Sequence, residues 1–273
     1  MTLVLRMTGR LLRRGMAGLL ALVLGVVIFE LIQPIVADSF GGPEGIQAVF
    51  DALPSSLRTL SRLEPNFIAI SGLAGYLSVS FTHPIYLGLS ASALIGFACR
   101  SLAGEMERGT IQLALSRPIS RWRVYIARVL GLAAITLLLA VAGPVGLIGG
   151  MLVARPAGAF DYVHLLASVV ASALLFWAIG GLTLFGSAIA STSGRAVGWA
   201  ISGLVIFYFL DYFADLWQIL KPFEPFSIFN YYDPGIALVD GRLPWVNIAT
   251  LVAVGLAGMT GGLIVFSRRD LPT

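Results

Sequence analysis

Charge is scarce in this chain of 273 residues, since only 12% of them are Asp, Glu, Lys or Arg. Soluble domains carry about a quarter charged residues, so this set is too small to cover the surface of a water-soluble fold. Hydrophobic residues make up 58% of the chain, and the mean hydropathy is +0.90. The composition therefore predicts that most of the chain lies in lipid.

Cysteine, histidine and lysine are nearly absent, and each shortage argues against a class of function. One cysteine excludes a disulfide framework and a cysteine-based metal site. The two histidines, His83 and His164, occur without an H-E-x-x-H or G-x-S-x-G motif, which argues against metal binding and intramembrane hydrolysis. The single lysine, Lys221, precedes Pro222 and lacks the glycines of a P-loop. We therefore expect no catalytic residue, no bound cofactor or metal, and no ATP hydrolysis by this chain.

Six stretches are long and apolar enough to cross a bilayer, which takes about 20 residues per helix. They cover residues 16–36, 82–102, 128–152, 164–190, 196–217 and 245–266. This pattern predicts an all-α membrane protein with six transmembrane helices. We interpret the first stretch as a retained span rather than a cleaved signal, because its length is sufficient and no clear A-x-A site follows it.

Glycines recur three or four residues apart in the third, fourth and sixth stretches. They include Gly143, Gly146 and Gly150, then Gly180, Gly181 and Gly186, then Gly255, Gly258 and Gly262. Small residues at this spacing allow helix backbones to approach closely. The pattern predicts tight helix packing, either within the chain or along a dimer seam.

The basic residues predict how the spans are oriented. With six spans, 13 of the 18 Arg and Lys residues lie on the side of both termini. Cytoplasmic loops are enriched in such residues, so both termini are predicted to be cytoplasmic. The basic pI of about 9.5 is then a signal of topology, and no nucleic acid partner is expected. Membrane lipids are expected to surround the spans.

The first 15 residues have the pattern of a helix at the cytoplasmic membrane surface. Their four arginines fall on one helical face, beside leucines that supply apolar surface. These arginines are Arg6, Arg10, Arg13 and Arg14. We therefore divide the chain into an interfacial helix, residues 1–15, and a six-helix transmembrane domain, residues 16–273.

Two polar segments, residues 37–81 and 218–244, connect spans on the predicted outer side. Apolar residues recur at helical spacing across residues 46–63, which predicts short amphipathic helices at the membrane surface. Residues 66–80 are apolar enough to enter the bilayer, although Gly72 and the short length argue against a seventh span. The second segment is rich in proline and aromatic residues, as is typical of a compact interfacial loop.

The longest predicted cytoplasmic connection, residues 103–127, holds mixed charge that a membrane anchor does not need. Arginines alone would serve an anchor, so Glu105 and Glu107 indicate specific pairing, within the loop or with another protein. Pro118 disfavours helical geometry at the residue before it, and Ser116 is a candidate N-cap of the next helix. We expect a short cytoplasmic helix, a turn and a long membrane helix, which together can transmit force from a cytosolic partner.

The same connection resembles a family signature. The stretches EMERGT, residues 105–110, and SRPISR, residues 116–121, are similar to the "E-x-E-R-G-T … L-L-S-x-P-[IV]-S-R" segment of ABC-2 type transporter permeases. The resemblance is specific over about residues 95–130. It implies ATPase-coupling or structural roles for Glu105, Glu107, Arg108, Gly109, Thr110, Arg117, Pro118 and Arg121.

The resemblance implies a permease subunit of an ATP-driven ABC transporter in the prokaryotic cytoplasmic (inner) membrane, with export favoured over import. Residues 103–127 would dock on a separate cytosolic ATPase subunit, which would bind the ATP and Mg²⁺. A second permease copy or a paralogue would complete the pore. The cargo stays open among a lipid, a drug-like amphiphile, a peptide and an ion.

Glu30 is the one clear carboxylate at membrane depth. It is predicted to line a substrate path or to pair with another helix, unless it lies close enough to the headgroups to stay hydrated. An ion-coupled secondary carrier would need such groups, and a single carboxylate gives that alternative thin support. A second alternative is a non-transporting membrane scaffold or sensor, whose outer segments bind a ligand.

Overall fold

The structure is a computed structural model, and it describes residues 2–54, 67–111 and 119–269. These residues form helices, turns and connections, with no strand among them. The α-helices are α1 (Thr2–Arg13), α2 (Met16–Ser39), α3 (Pro43–Ala52), α4 (Phe67–Thr82), α5 (Pro84–Ser101), α6 (Ala103–Glu107), α7 (Arg121–Ala154), α8 (Leu165–Ile189), α9 (Ser193–Leu216), α10 (Pro234–Asp240) and α11 (Trp245–Arg268). Short 3₁₀ helices lie at Tyr162–His164, Lys221–Phe226 and Phe229–Tyr231.

Six helical segments of the described chain are long and apolar enough to cross a membrane, which confirms the predicted all-α fold with six spans. Spans one to six are Met16–Ser39, Pro84–Glu107, Arg121–Ala154, Tyr162–Ile189, Ser193–Leu216 and Trp245–Arg268. Span two combines α5 and α6, and span four begins with a 3₁₀ turn.

Span three begins earlier than the sequence predicts. Ser120 has extended backbone, with φ −67° and ψ 142°, and the helix starts at Arg121. Ser120 is therefore the N-cap residue, and the prediction that Ser116 would cap this helix was wrong; Ser116 itself lies outside the described residues. The earlier start places Arg128 inside the helix, two turns from its beginning.

The glycine pattern produces close packing within the chain. A Cβ built on Gly146 would overlap the carbonyl oxygen of Val27, and one built on Gly150 would overlap that of Leu31. Spans one and three therefore touch backbone to backbone. Spans four and six do the same, since a Cβ built on Gly181 would overlap the carbonyl oxygen of Gly255. At these positions the glycines serve intrachain packing rather than a dimer seam.

The described part of the first predicted outer segment, residues 37–81, comprises the end of α2, all of α3 and most of α4. Helix α4 is broken at Gly72, where φ of +59° and ψ of −144° lie outside helical geometry. The run from 73 to 82 is about 15 Å long, about half the thickness of a hydrocarbon core, and α4 is not among the six candidate spans. The predicted amphipathic stretch falls partly in α3, and its remainder, residues 55–66, lies outside the described residues.

The second predicted outer segment, residues 218–244, contains two 3₁₀ helices and α10 joined by short turns. The Ser227 hydroxyl donates to the carbonyl of Phe207 at 2.8 Å, which ties the segment to span five. Asp233 caps α10. Lys221 lies 2.8 Å from Glu224, and hydrogen bonding to that carboxylate raises the pKa of Lys221.

Candidate functional site

Helix α6, a single helical turn at the end of span two, forms the start of the predicted cytoplasmic connection, residues 103–127. The turn ends at Arg108, and Gly109 follows with a φ of +66°, a left-handed conformation that favours glycine. The Thr110 hydroxyl donates back to the carbonyl of Glu105 at 3.3 Å. The stretch EMERGT is therefore one closed unit. Arg117 and Pro118, predicted as coupling residues, lie outside the described residues.

Helix α6 is also fixed to span four by its backbone. The amide of Ala103 donates to the Ser187 hydroxyl at 3.0 Å, and that hydroxyl donates to the carbonyl of Ala98 at 3.0 Å. All three residues are buried. Ser187 thus satisfies an amide and a carbonyl at the point where α5 ends and α6 begins, where regular helical hydrogen bonding is interrupted.

Glu105 forms a buried ion pair with Arg128. The Arg128 guanidinium, of which 1% is exposed, donates to Glu105 Oε2 through Nη2. Its Nε donates to the carbonyl of Ser101 at 2.6 Å, and its Nη1 donates to the carbonyl of Val124. A buried charge is tolerated when it is paired and hydrogen-bonded, and Arg128 meets both conditions. The pair fixes α6 to span three.

Glu105 has a second partner on the other side. Arg14, in the turn between α1 and span one, places Nη1 3.3 Å from Glu105 Oε1. Helix α1 is itself held against span three, because the Thr8 hydroxyl donates to the carbonyl of Ala127 at 3.0 Å. One carboxylate thus joins α6, the α1 turn and span three.

Glu107 connects α6 to span five. Its Oε2 accepts a hydrogen bond of 2.9 Å from the amide of Ser193, the first residue of that helix. A carboxylate at a helix N-terminus satisfies a free amide and complements the helix dipole. Both glutamates are specifically paired, but the partners that the structure describes lie elsewhere in the chain and not within residues 103–127, where one alternative placed them.

Arg121 connects the start of span three to the end of span six. It donates to the carbonyl of Arg269 at 2.6 Å and to that of Ser267 at 3.3 Å. Arg269 in turn donates to the last carbonyls of span four, those of Ala188, Ile189 and Ala190. Guanidinium groups at helix C-termini satisfy orphan carbonyls in this way.

The structure therefore brings six of the predicted coupling residues to one end of the helix bundle. They are Glu105, Glu107, Arg108, Gly109, Thr110 and Arg121. Glu107 and Arg108 are exposed there, and so is Trp122, with 52% of its surface accessible. Glu105 lies behind them and contacts the helices. The site has an exposed layer and a buried layer that links it to the spans.

Sequence reasoning did not identify Arg128, Ser187 or Arg269 as parts of this site. Arg128 and Arg269 were counted among basic residues that mark the cytoplasmic side. A usable signal existed for Arg128, because it stands at the edge of an apolar stretch that follows a loop with two carboxylates. Ser187 gave no comparable signal, since a small polar residue in a span is common.

Glu30 lies far from this site in sequence and is fully buried in span one. The Ser80 hydroxyl of α4 donates to Glu30 Oε2 at 2.7 Å, so Glu30 pairs with another helix and is not exposed to solvent. Its Oε1 has no hydrogen-bond partner within the described part of the chain. A role in a substrate path stays a prediction.

The family model described as "ABC-2 family transporter protein" matches residues 12–271, which include all six spans and the connection described above. No curated protein matches the chain.

Proposed function

This chain belongs to the ABC-2 family of transporter proteins, and from that premise we propose that it is the permease subunit of an ATP-driven ABC exporter. A separate cytosolic ATPase subunit supplies the energy and binds the ATP and Mg²⁺. It docks on residues 103–127, at the exposed layer formed by Glu107 and Arg108. A second permease copy or a paralogue completes the pore.

The observation that supports this proposal is the set of polar contacts from α6 to four other parts of the bundle. Glu105 contacts span three and the α1 turn, Glu107 contacts span five, and Ala103 contacts span four. A displacement of α6 by a docked partner is therefore transmitted to several helix ends at once. Closure of the ATPases would push on residues 104–123 and reorganise the cavity between the permease halves.

The same contacts support a common side for the docking loop and the N-terminal helix, because Arg14 and Glu105 touch. Basic residues are concentrated on this side, which is typical of cytoplasmic loops. We propose that it faces the cytoplasm of a prokaryote and that the protein lies in the cytoplasmic (inner) membrane. The family resemblance of the loop supports export as the direction of transport.

The experiment is co-purification of the tagged full-length chain from its native host in mild detergent, followed by identification of bound proteins. We expect a P-loop ATPase with the wild type, and at least fivefold less of it with Glu107→Ala/Arg108→Ala. Arg13→Ala is the matched control, since Arg13 is an exposed arginine on α1 outside the loop, and it should retain the ATPase.

Two results would contradict parts of this proposal separately. Absence of any ATPase, under conditions that preserve other such complexes, would refute the permease assignment. Full retention of the ATPase by the double variant would leave the permease assignment intact and refute docking at Glu107 and Arg108.

An ion-coupled secondary carrier is the second candidate, favoured by the buried carboxyl of Glu30 and its unpartnered oxygen. Ionisable groups at this depth mark ion pathways in carriers. This candidate predicts transport that survives without the ATPase and collapses with the ion gradient. A scaffold or sensor instead predicts ligand binding at the outer segments without any flux.

A further inference from the structure

A cavity of about 520 Å³ lies between α1, span one and span two, on the side of the candidate coupling site. Its two ends differ in chemistry. Arg14, Arg100 and Arg108 line one end, and Leu19 and Phe97 are among the apolar residues that line the other. We call this space the amphipathic cavity. Its volume falls in the range of cavities that hold small ligands.

The polar end of the amphipathic cavity carries excess positive charge. Among the lining residues that the structure describes, Glu105 is the one carboxylate, and it is already paired with Arg14 and Arg128. Within residues 2–54, 67–111 and 119–269, no carboxylate lies within 4.0 Å of Arg100 or Arg108. The guanidinium groups of Arg100 and Arg108 therefore have positive charge and hydrogen-bond donors left unpaired by the described residues, and arginine binds phosphate well.

The guanidinium of Arg100 rests against Gly15. A Cβ built on Gly15 would lie 3.1 Å from Nη2 of Arg100, so the guanidinium rests over the turn that joins α1 to span one. One turn further along, a Cβ built on Gly18 would meet nothing within 4 Å, and Gly18 also lines the amphipathic cavity. The missing side chain of Gly18 thus leaves open space beside the arginines.

The apolar end continues into the bundle along Leu19, Leu22, Phe97 and Ile135. A ligand that fits both ends needs an anionic head and a hydrocarbon tail. Anionic phospholipids have this form, and basic pockets between helices on the cytoplasmic side of a membrane bind their headgroups. A free phosphate would leave the apolar end of the amphipathic cavity unused.

We propose that the amphipathic cavity binds an anionic phospholipid of the leaflet on the side of the termini. Its phosphate lies among Arg14, Arg100 and Arg108, and one acyl chain follows Leu19 and Phe97. Because Arg14 also contacts Glu105, the headgroup and the carboxylate of the buried ion pair share Arg14 as a partner. This assignment does not depend on an ATPase partner.

The test uses the full-length chain, delipidated in mild detergent and titrated with phosphatidylglycerol. Bound lipid is counted by native mass spectrometry. Phosphatidylcholine, which carries no net charge, and glycerol 3-phosphate, which has no acyl chain, are the comparison ligands. We expect phosphatidylglycerol to bind at least tenfold tighter than either, since each basic residue near a membrane surface contributes about fivefold in affinity for an anionic lipid.

Two variants address the two ends of the amphipathic cavity. Arg100→Gln should weaken phosphatidylglycerol binding about fivefold, whereas Arg13→Gln, on an exposed arginine outside the cavity, should leave it unchanged. Gly18→Leu keeps every charge and fills the open space, so it should abolish binding. Gly88→Leu is its control, because Gly88 also faces open space in a span and does not line the cavity.

Several results would overturn the proposal. Equal binding of phosphatidylglycerol and phosphatidylcholine would exclude headgroup recognition, and equal binding of glycerol 3-phosphate would indicate a free-phosphate site. Equal losses in Arg100→Gln and Arg13→Gln would indicate diffuse attraction to a basic surface. If Arg100→Gln fails to fold, unchanged binding by folded Gly18→Leu would still refute the site.

Discussion

The ion pair between Glu105 and Arg128 predicts that single and double substitutions have very different effects on stability. Arg128→Met removes the buried positive charge and leaves a carboxylate that is mostly buried, with 10% of its side chain exposed, and that keeps only the exposed Arg14 as a charged partner among the described residues. Glu105→Gln leaves Arg128 charged and almost completely buried. The double variant Glu105→Gln/Arg128→Met removes both charges together.

The size of the effect follows from burial. Removing one partner of a buried pair costs about 3–5 kcal/mol, whereas replacing both partners by uncharged groups is often nearly neutral. For a chain of this size, each kcal/mol corresponds to about 2–4 °C in Tm. Each single variant should therefore lose roughly 6–20 °C in Tm, and the double variant should recover more than half of that loss.

Arg14→Gln is the matched control, because Arg14 contacts the same carboxylate from an exposed position. Its side chain is 70% exposed, and exposed pairs contribute about 0–1 kcal/mol. The assay heats the protein in detergent to a series of temperatures and measures, at each one, the fraction that remains monodisperse on gel filtration. Equal small losses in Arg14→Gln and Arg128→Met, or a double variant as unstable as both singles added, would refute the reasoning.

Three further predictions concern other parts of the bundle. Gly146→Ala should lower the free energy of unfolding by about 1–3 kcal/mol, because the new methyl group overlaps the Val27 carbonyl. Its control is Gly186→Ala, where the methyl group enters open space, so the free energy of unfolding should stay unchanged or rise slightly. Thermal unfolding measures both variants. The Glu30→Gln variant should retain ATP-driven transport in proteoliposomes. Loss of transport in this variant would favour the ion-coupled carrier. Arg269→Gln should lower the free energy of unfolding by about 0.3–1 kcal/mol, because it weakens the capping of span four. A denaturant midpoint equal to that of the wild type would contradict this capping role.

The sequence predicts the spans because the bilayer itself imposes their length and hydropathy. Six apolar stretches therefore locate six helices, even though the start of span three is shifted to Arg121. Ser116 and Ser120 stand on either side of Pro118, and local capping rules favour both, so the sequence did not identify the true N-cap.

The candidate site was predictable in kind but not in its partners. Mixed charge around Glu105 and Glu107 indicates pairing, yet Arg128 is 23 residues from Glu105 in sequence, and Ser193 is 86 residues from Glu107. Such partners are chosen by the packing of whole helices, which no local pattern encodes. The break in α4 at Gly72 was predictable only in part, because a glycine favours the interruption of a helix but does not specify the geometry of that interruption.

The backbone contacts at Gly146 and Gly181 have a consequence for how the molecule moves. At these glycines the helices touch backbone to backbone, and such close contacts leave little room for sliding, so we expect spans one and three to move as one piece, and spans four and six as another. The two pairs also make the most extensive helix contacts of the described chain. We therefore expect rearrangement during a transport cycle to occur between these two pairs of helices rather than within either pair. A crosslink within a piece should be harmless, and one between the pieces should stop the cycle.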